Sequence, residues 1–237
     1  MRLLVSVRSA DEVEPAWQGG ADIVDAKESG TGSLDPVSPE VLRAIRARLP
    51  LDRLLSVALG DLSDRDQVDR RLGELTVPVD FLKPGFGGAG TARAAELLER
   101  VVERATGVPG SPAVVAAGYV DFSAAAAPSP ATMVELACGC GAVGLLLDTF
   151  QKDSGNLFAY ITDEELSVLS RRLSAAGRFL ALGGGLGPRE VERVRDTGAA
   201  ILGVRGAACE GGRGGVLAAA RVRDLANRVF AMPVARG

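Results

Sequence analysis

The chain has 237 residues and no histidine. A Ser-His-Asp or Cys-His nucleophilic engine is therefore impossible, and so is a histidine-liganded metal site. Acid–base chemistry must run on Lys, Asp, Glu, Tyr, Cys or bound water. Lysine is almost as scarce. Lys27, Lys83 and Lys152 are the only three, and the other 24 of the 27 basic residues are arginine. Guanidinium keeps its proton, so arginine cannot stand in where an amine must lose one. A lysine that forms a Schiff base or acts as a base is such a position.

The remaining shortages narrow the class. Three cysteines, an odd number, suit a reducing compartment better than a disulfide framework. No apolar run approaches the roughly 18 residues a membrane helix needs. A net charge of −3 and a pI near 5.2 give no electrostatic case for nucleic acid or an acidic membrane surface. The opening MRLLVSVRSADEVEPAW turns acidic after one short apolar run, unlike a signal peptide. A cytoplasmic protein acting on a small molecule is expected, and a homo-oligomer is compatible with all of this.

What is present is alternation. Short apolar runs predict strands at 3–7, 23–27, 54–58, 81–83, 114–117, 145–148, 179–182 and 201–204. Amphipathic patterns predict helices at 10–18, 39–48, 64–75, 92–105, 130–138, 163–175, 188–197 and 216–230. Ser38-Pro39, Ser129-Pro130 and Thr162 before Asp163-Glu164-Glu165 are helix-start signals. Eight strands with intervening helices predict an α/β fold, a single-domain (β/α)8 TIM barrel over residues 1–237. An open doubly wound sheet is the competing architecture, but no G-x-G-x-x-G follows the first strand.

Active sites of such barrels lie at the C-terminal ends of the strands. Those ends carry Ser6, Asp25, Lys27, Lys83, Asp121, Asp148, Gly183, Gly184, Gly185, Arg205 and Gly206, and Lys152 follows four residues after Asp148. Side chains alternate along a strand, so Asp25 and Lys27 share a face, and a polar pair on a buried strand fits the barrel lumen. Lys27, Lys83 and Asp148 come from strands two, four and six, and alternate strands share a layer. Two amines and a carboxylate at one level suit carbonyl chemistry: one amine forms an iminium, and a second group moves protons. The plain alternative is a buried ion pair that only fixes the lumen.

Glycine-rich loops follow strands seven and eight, LGGGLGPREV at 182–191 and GVRGAACEGGRGG at 203–215. Loops there often hold phosphate through backbone N–H groups. Simple turn formation is the alternative for both. Arg205 has two open readings, a phosphate clamp or a structural ion pair at the rim. Segment 149–160, bearing Lys152, reads as a long loop, either a substrate lid or merely exposed. Cys138, Cys140 and Trp17 read as packing, and Cys209 as incidental.

These residues resemble a known family. GADIVDAKESGTGSL (20–34), FLKPG (81–85), VVAAGYVDF (114–122), LLLDTFQKDSGNLF (145–158) and GVRGAACEGG (203–212) resemble the (5-formylfuran-3-yl)methyl phosphate synthases of methanofuran biosynthesis. The resemblance implies a TIM barrel and condensation of two glyceraldehyde 3-phosphate molecules into 4-(hydroxymethyl)-2-furancarboxaldehyde phosphate, with release of phosphate and water. It implies Lys27 as the Schiff-base lysine and Lys83 as the proton acceptor, with Asp25, Asp148 and Lys152 around them. It implies no metal or organic cofactor. The chain departs from the family pattern at Gly183–Gly185, where a serine is expected, and at Glu210, where a basic residue is expected. Another Schiff-base aldolase and a non-catalytic phosphosugar-binding barrel are the other two functions the residues allow.

Overall fold

The structure, a computed structural model, describes residues 1–28 and 32–231. Positions 29–31, within the resemblance segment 20–34, and the last six residues of the expected domain lie outside the described residues. Eight parallel strands form a closed barrel in sequence order: β1 (Arg2–Val7), β2 (Ile23–Ala26), β3 (Leu54–Asp61), β4 (Phe81–Gly85), β5 (Ala113–Tyr119), β6 (Gly144–Asp148), β7 (Phe179–Leu182) and β8 (Ile201–Val204). β8 pairs back with β1. The expected TIM barrel is therefore observed. Both faces of each strand are covered, which is why they read as unbroken apolar runs rather than alternating ones.

The outer ring comprises α1 (Val13–Gln18), α2 (Pro39–Arg48), α3 (Arg65–Gly73), α4 (Thr91–Ala105), α5 (Pro130–Gly139), α6 (Asp163–Ala175), α7 (Val191–Asp196) and α8 (Ala219–Phe230). On α4 the stripe Ala94, Leu97, Leu98, Val101 and Ala105 is buried against the sheet. The start signals act as read. Ser38 and Ser129 accept from the Val41 and Thr132 amides, each with proline next in the chain. Thr162 and Glu165 form a reciprocal capping box.

Three boundaries depart from expectation in ways that bear on the site. β3 runs on to Asp61 because a bulge between Ala58 and Gly60 resets its register with β4. Helix α7 is only six residues, since the loop before it occupies residues 183–190. Val216 does not begin the last helix. With Leu217 it forms a short strand, β10 (Val216–Leu217), antiparallel to β9 (Cys209–Glu210). Gly211 and Gly212, at φ of 80° and 77°, make the turn between them, a conformation L side chains resist.

The barrel encloses its own small core of Leu4, Ile23, Val115, Leu146 and Ile201, with Ala58, Ala117 and Ala181 between. Small residues there leave volume that the polar strand ends occupy.

Candidate active site

A cavity of about 310 Å³ opens at the C-terminal end of the barrel. It is lined by Ser6, Asp25, Lys27, Lys83, Asp148, Lys152, Gly183–Gly187, Gly203–Ala207, Glu190 and Arg213, over a floor of Leu4 and Leu146. All the residues expected as catalytic, phosphate-binding or substrate-binding therefore line one cavity. Asp121 does not line it: its carboxylate accepts the Phe150 and Gln151 amides at 2.7 and 2.8 Å and shapes the loop after β6.

The three amines sit in two carboxylate groups. Deeper in, Lys83 Nζ lies 2.6 Å from Asp25 Oδ1, with the lysine 2% and the aspartate 0% exposed. The contact is an ion pair, and Oδ1 has no hydrogen-bond partner among the described residues. The Ser6 hydroxyl donates to Asp25 Oδ2 at 3.0 Å and fixes the carboxylate. Above this pair, Asp148 faces two amines. Lys152 donates to Oδ1 at 2.7 Å, and Lys27 stands 3.6 Å from Oδ2, too far for a hydrogen bond. The Thr149 amide also donates to Asp148 Oδ1, at 2.8 Å. Lys152 is further held by the Thr149 carbonyl and, at 3.2 Å, its hydroxyl.

Electrostatics separate these groups. Burial pushes the Lys83 amine below its usual range, assisted by the Lys27 charge and opposed by Asp25. Burial lowers Lys152 too, against the pull of Asp148. Burial would raise Asp148, but the charges of Lys152 and Lys27, the Lys152 hydrogen bond and the Thr149 amide outweigh it and hold the carboxyl well below the ordinary range. The cavity thus combines a permanent carboxylate with a deep amine biased toward neutrality.

Beside the cavity-lining strands, the Tyr119 hydroxyl lies 2.9 Å from both oxygens of Asp61 across strand β4. Burial raises the Asp61 carboxyl, although the Gly87 amide and Tyr119 both stabilise its anion.

Of the two readings for Arg205, the rim ion pair describes its contacts. Its guanidinium donates to both Glu12 oxygens at 2.6 and 2.8 Å and to the carbonyls of Ser6, Arg213 and Gly215. A guanidinium has five N–H donors, so none remains for a phosphate. Sequence reading missed Glu12, 193 residues away. It also missed Arg213, which donates to the Gly32 carbonyl at 2.7 Å from the β9–β10 turn and lines the cavity mouth. A lone basic residue in the run GGRGG was the available signal. Glu190, also missed, accepts the Gly187 amide at 2.9 Å and braces the phosphate-loop candidate. Glu210 is exposed on β9 and is not among the described residues lining the cavity, so that departure from the family pattern falls outside the site.

The loop after β7 needs two of its glycines. Gly184 and Gly185 have φ of 87° and 68°, and a Cβ on Gly184 would stand 2.9 Å from the Thr149 amide nitrogen. Gly183 has no such constraint, and its Cβ would meet only the Asp148 carboxyl at 3.4 Å. Gly184→Ala is expected to cost about 1–3 kcal/mol in urea unfolding and to weaken inorganic phosphate binding in calorimetry. Gly183→Ser, by contrast, should unfold close to the parent.

The family model described as 4-HFC-P synthase matches residues 3–226. A (5-formylfuran-3-yl)methyl phosphate synthase of Methanopyrus kandleri is 36% identical over 231 residues, covering 95% of this chain and 98% of that protein. One of Methanobrevibacter smithii is 34% identical over 215 residues, covering 90% and 91%. Among solved structures, phosphoribosyl anthranilate isomerase from Thermus thermophilus shares the fold, with a TM-score of 0.65 at 20% identity over 96% of this chain and 98% of that one. The match runs from β1 into α8 and takes in every amine and carboxylate of the cavity: this chain belongs to the 4-HFC-P synthase family of enzymes.

Proposed function

We propose that the chain is a single-domain cytoplasmic lyase that condenses two molecules of glyceraldehyde 3-phosphate into 4-(hydroxymethyl)-2-furancarboxaldehyde phosphate. The observation that carries this reading is the pair of amines, Lys27 and Lys83, held by different carboxylates in one buried cavity. Among the described residues Lys27 makes one loose 3.6 Å ion pair, and it is slightly more exposed than Lys83, so it has room to turn toward a carbonyl carbon. Its amine adds to one triose phosphate, water leaves, and an iminium forms. Lys83, which burial biases toward the neutral form, takes the α-proton and leaves an enamine. The enamine carbon adds to the second aldehyde. Loss of inorganic phosphate, attack of a hydroxyl oxygen on the iminium carbon with expulsion of the Lys27 amine, and loss of a second water give the furan. Lys152 and Arg213 stand at the mouth as the cations for phosphate, and the Gly183–Gly187 backbone offers N–H groups.

Incubation of the purified protein with glyceraldehyde 3-phosphate tests this. Mass spectrometry should find a furan aldehyde phosphate, with free phosphate released in step. A borohydride-trapped adduct on Lys27 without any furan would move the assignment to a Schiff-base aldolase of another phosphosugar. Neither furan nor adduct would favour a barrel that binds phosphosugars without turning them over.

A further inference from the structure

The turn that carries Arg213 is too small to hold itself. β9 and β10 have two residues each and pair Cys209 with Leu217 and Glu210 with Val216. A two-stranded hairpin is marginal in water even at ordinary length. Its base is packed, with Cys209 and Leu217 buried. The turn between, residues 211–215, has no buried residue, and four of its five residues are glycine. Fixing glycines costs more backbone entropy than fixing other residues. The place of Arg213 must therefore be set by bonds from outside the hairpin.

Arg205 supplies them. On the barrel side its guanidinium forks onto Glu12 at 2.6 and 2.8 Å and donates to the Ser6 carbonyl at 3.1 Å. On the hairpin side it donates to the carbonyls of Arg213 and Gly215, at 3.3 and 3.2 Å. Glu12 is itself fixed by the Arg8 amide at 2.7 Å. Arg205 and Glu12 are both buried. A buried ion pair adds little net stability over apolar packing, so its use lies in what it fixes in space. Here it fixes the backbone of a residue that lines the cavity beside Lys152. Burial first, and then the charges of Lys27 and Arg213, lower the Lys152 amine, so Arg213 stands close enough to act on it. Two cations brought together from separate loops repel each other, and an anion between them is favoured.

We propose that the Glu12–Arg205 pair positions Arg213: it staples the hairpin turn to the barrel so that the Arg213 guanidinium stands at the cavity and receives the substrate's phosphate. Arg205, its donors spent on protein, is a positioning residue. Lysine cannot replace it, because three donors on one nitrogen cannot reach a carboxylate fork and three separate carbonyls. The role rests on the reading of the cavity mouth as a phosphate site; it does not depend on formation of a furan.

A double-mutant cycle tests this, with inorganic phosphate as the probe in calorimetry at fixed ionic strength. Arg205→Lys should weaken phosphate binding about tenfold, the scale of one charge-assisted hydrogen bond to the anion. Arg213→Met should weaken it as much. In the Arg213→Met background, Arg205→Lys should then change it by less than about twofold. Should Arg205→Lys not fold, Glu12→Asp, whose shorter side chain draws the fork away from the hairpin, runs the same cycle. Carbon-13 labelling at lysine Cε gives a second readout without any ligand. The Lys152 midpoint should rise in Arg213→Met and, in the same direction, in Glu12→Asp, as the Arg213 charge is removed or withdrawn. Equal weakening in both backgrounds, or unchanged binding in Arg205→Lys, overturns the proposal. So does a Lys152 midpoint that rises in Arg213→Met but stays put in Glu12→Asp. A parent that binds no phosphate at millimolar concentration removes the phosphate site, and this role with it. A parent that shows the coupling but makes no furan leaves this inference standing and removes only the proposed reaction.

Discussion

Lys27→Arg should lose turnover by a factor on the order of 10⁴ or more, the scale on which removal of a covalent nucleophile acts in enzymes studied by mutation. The substitution keeps a positive charge beside Asp148, so a residue that served only as an ion-pair partner would survive it. It removes the one property a Schiff base needs, a nitrogen that can be neutral and attack carbon. Borohydride with substrate should label the parent at Lys27 and leave Lys27→Arg unlabelled. Lys83→Arg gives the complementary pattern: turnover lost, with the adduct on Lys27 still formed. Lys83 is deeper, is paired at 2.6 Å, and does not have to reach carbon. An adduct on Lys83 in place of Lys27 would exchange the two roles. Retained turnover in Lys27→Arg would sink the Schiff-base role of Lys27.

The barrel was readable because its strands are buried on both faces, and β7 and β8 begin and end where the apolar runs do. The amines were readable for a related reason. A charged residue at the end of such a run is costly to bury, so Asp25, Lys27, Lys83 and Asp148 stood out against their neighbours. The unreadable parts depend on partners distant in sequence. Nothing around Arg205 announces that Glu12 will take two of its donors, and that pairing decides whether it can hold phosphate. The β9–β10 hairpin interrupts what looks like the start of an amphipathic helix at Val216, because the glycine turn brings Val216 opposite Glu210. Ser56 resembles any small strand residue until the closed barrel buries its hydroxyl without a hydrogen-bond partner among the described residues.

Asp148→Asn should destabilise the fold at neutral pH by about 3–5 kcal/mol, the usual cost of removing one member of a buried ionic group. The asparagine keeps an oxygen for the Thr149 amide, so the loss is chiefly charge. It leaves Lys27 and Lys152 buried close to each other without the anion between them. The pH dependence identifies the cause. The Asp148 carboxyl is held below its unfolded value, so its stabilisation is complete above the unfolded pKa of about 3.9. That contribution is lost as pH falls from there toward the folded value. Urea unfolding of parent and variant should therefore differ most at neutral pH and converge as pH drops below about 4. A difference that stays constant with pH would mean that shape, not charge, is what the asparagine changes. Removing one stranded cation should return part of the loss: Asp148→Asn with Lys152→Met should be more stable than Asp148→Asn alone. In the parent background Lys152→Met should be destabilising, because it deprives Asp148 of its closest partner. That reversal of sign between the two backgrounds is the signature of a coupled buried group. A Lys152→Met effect of equal size in both would show that the carboxylate and the two amines act independently.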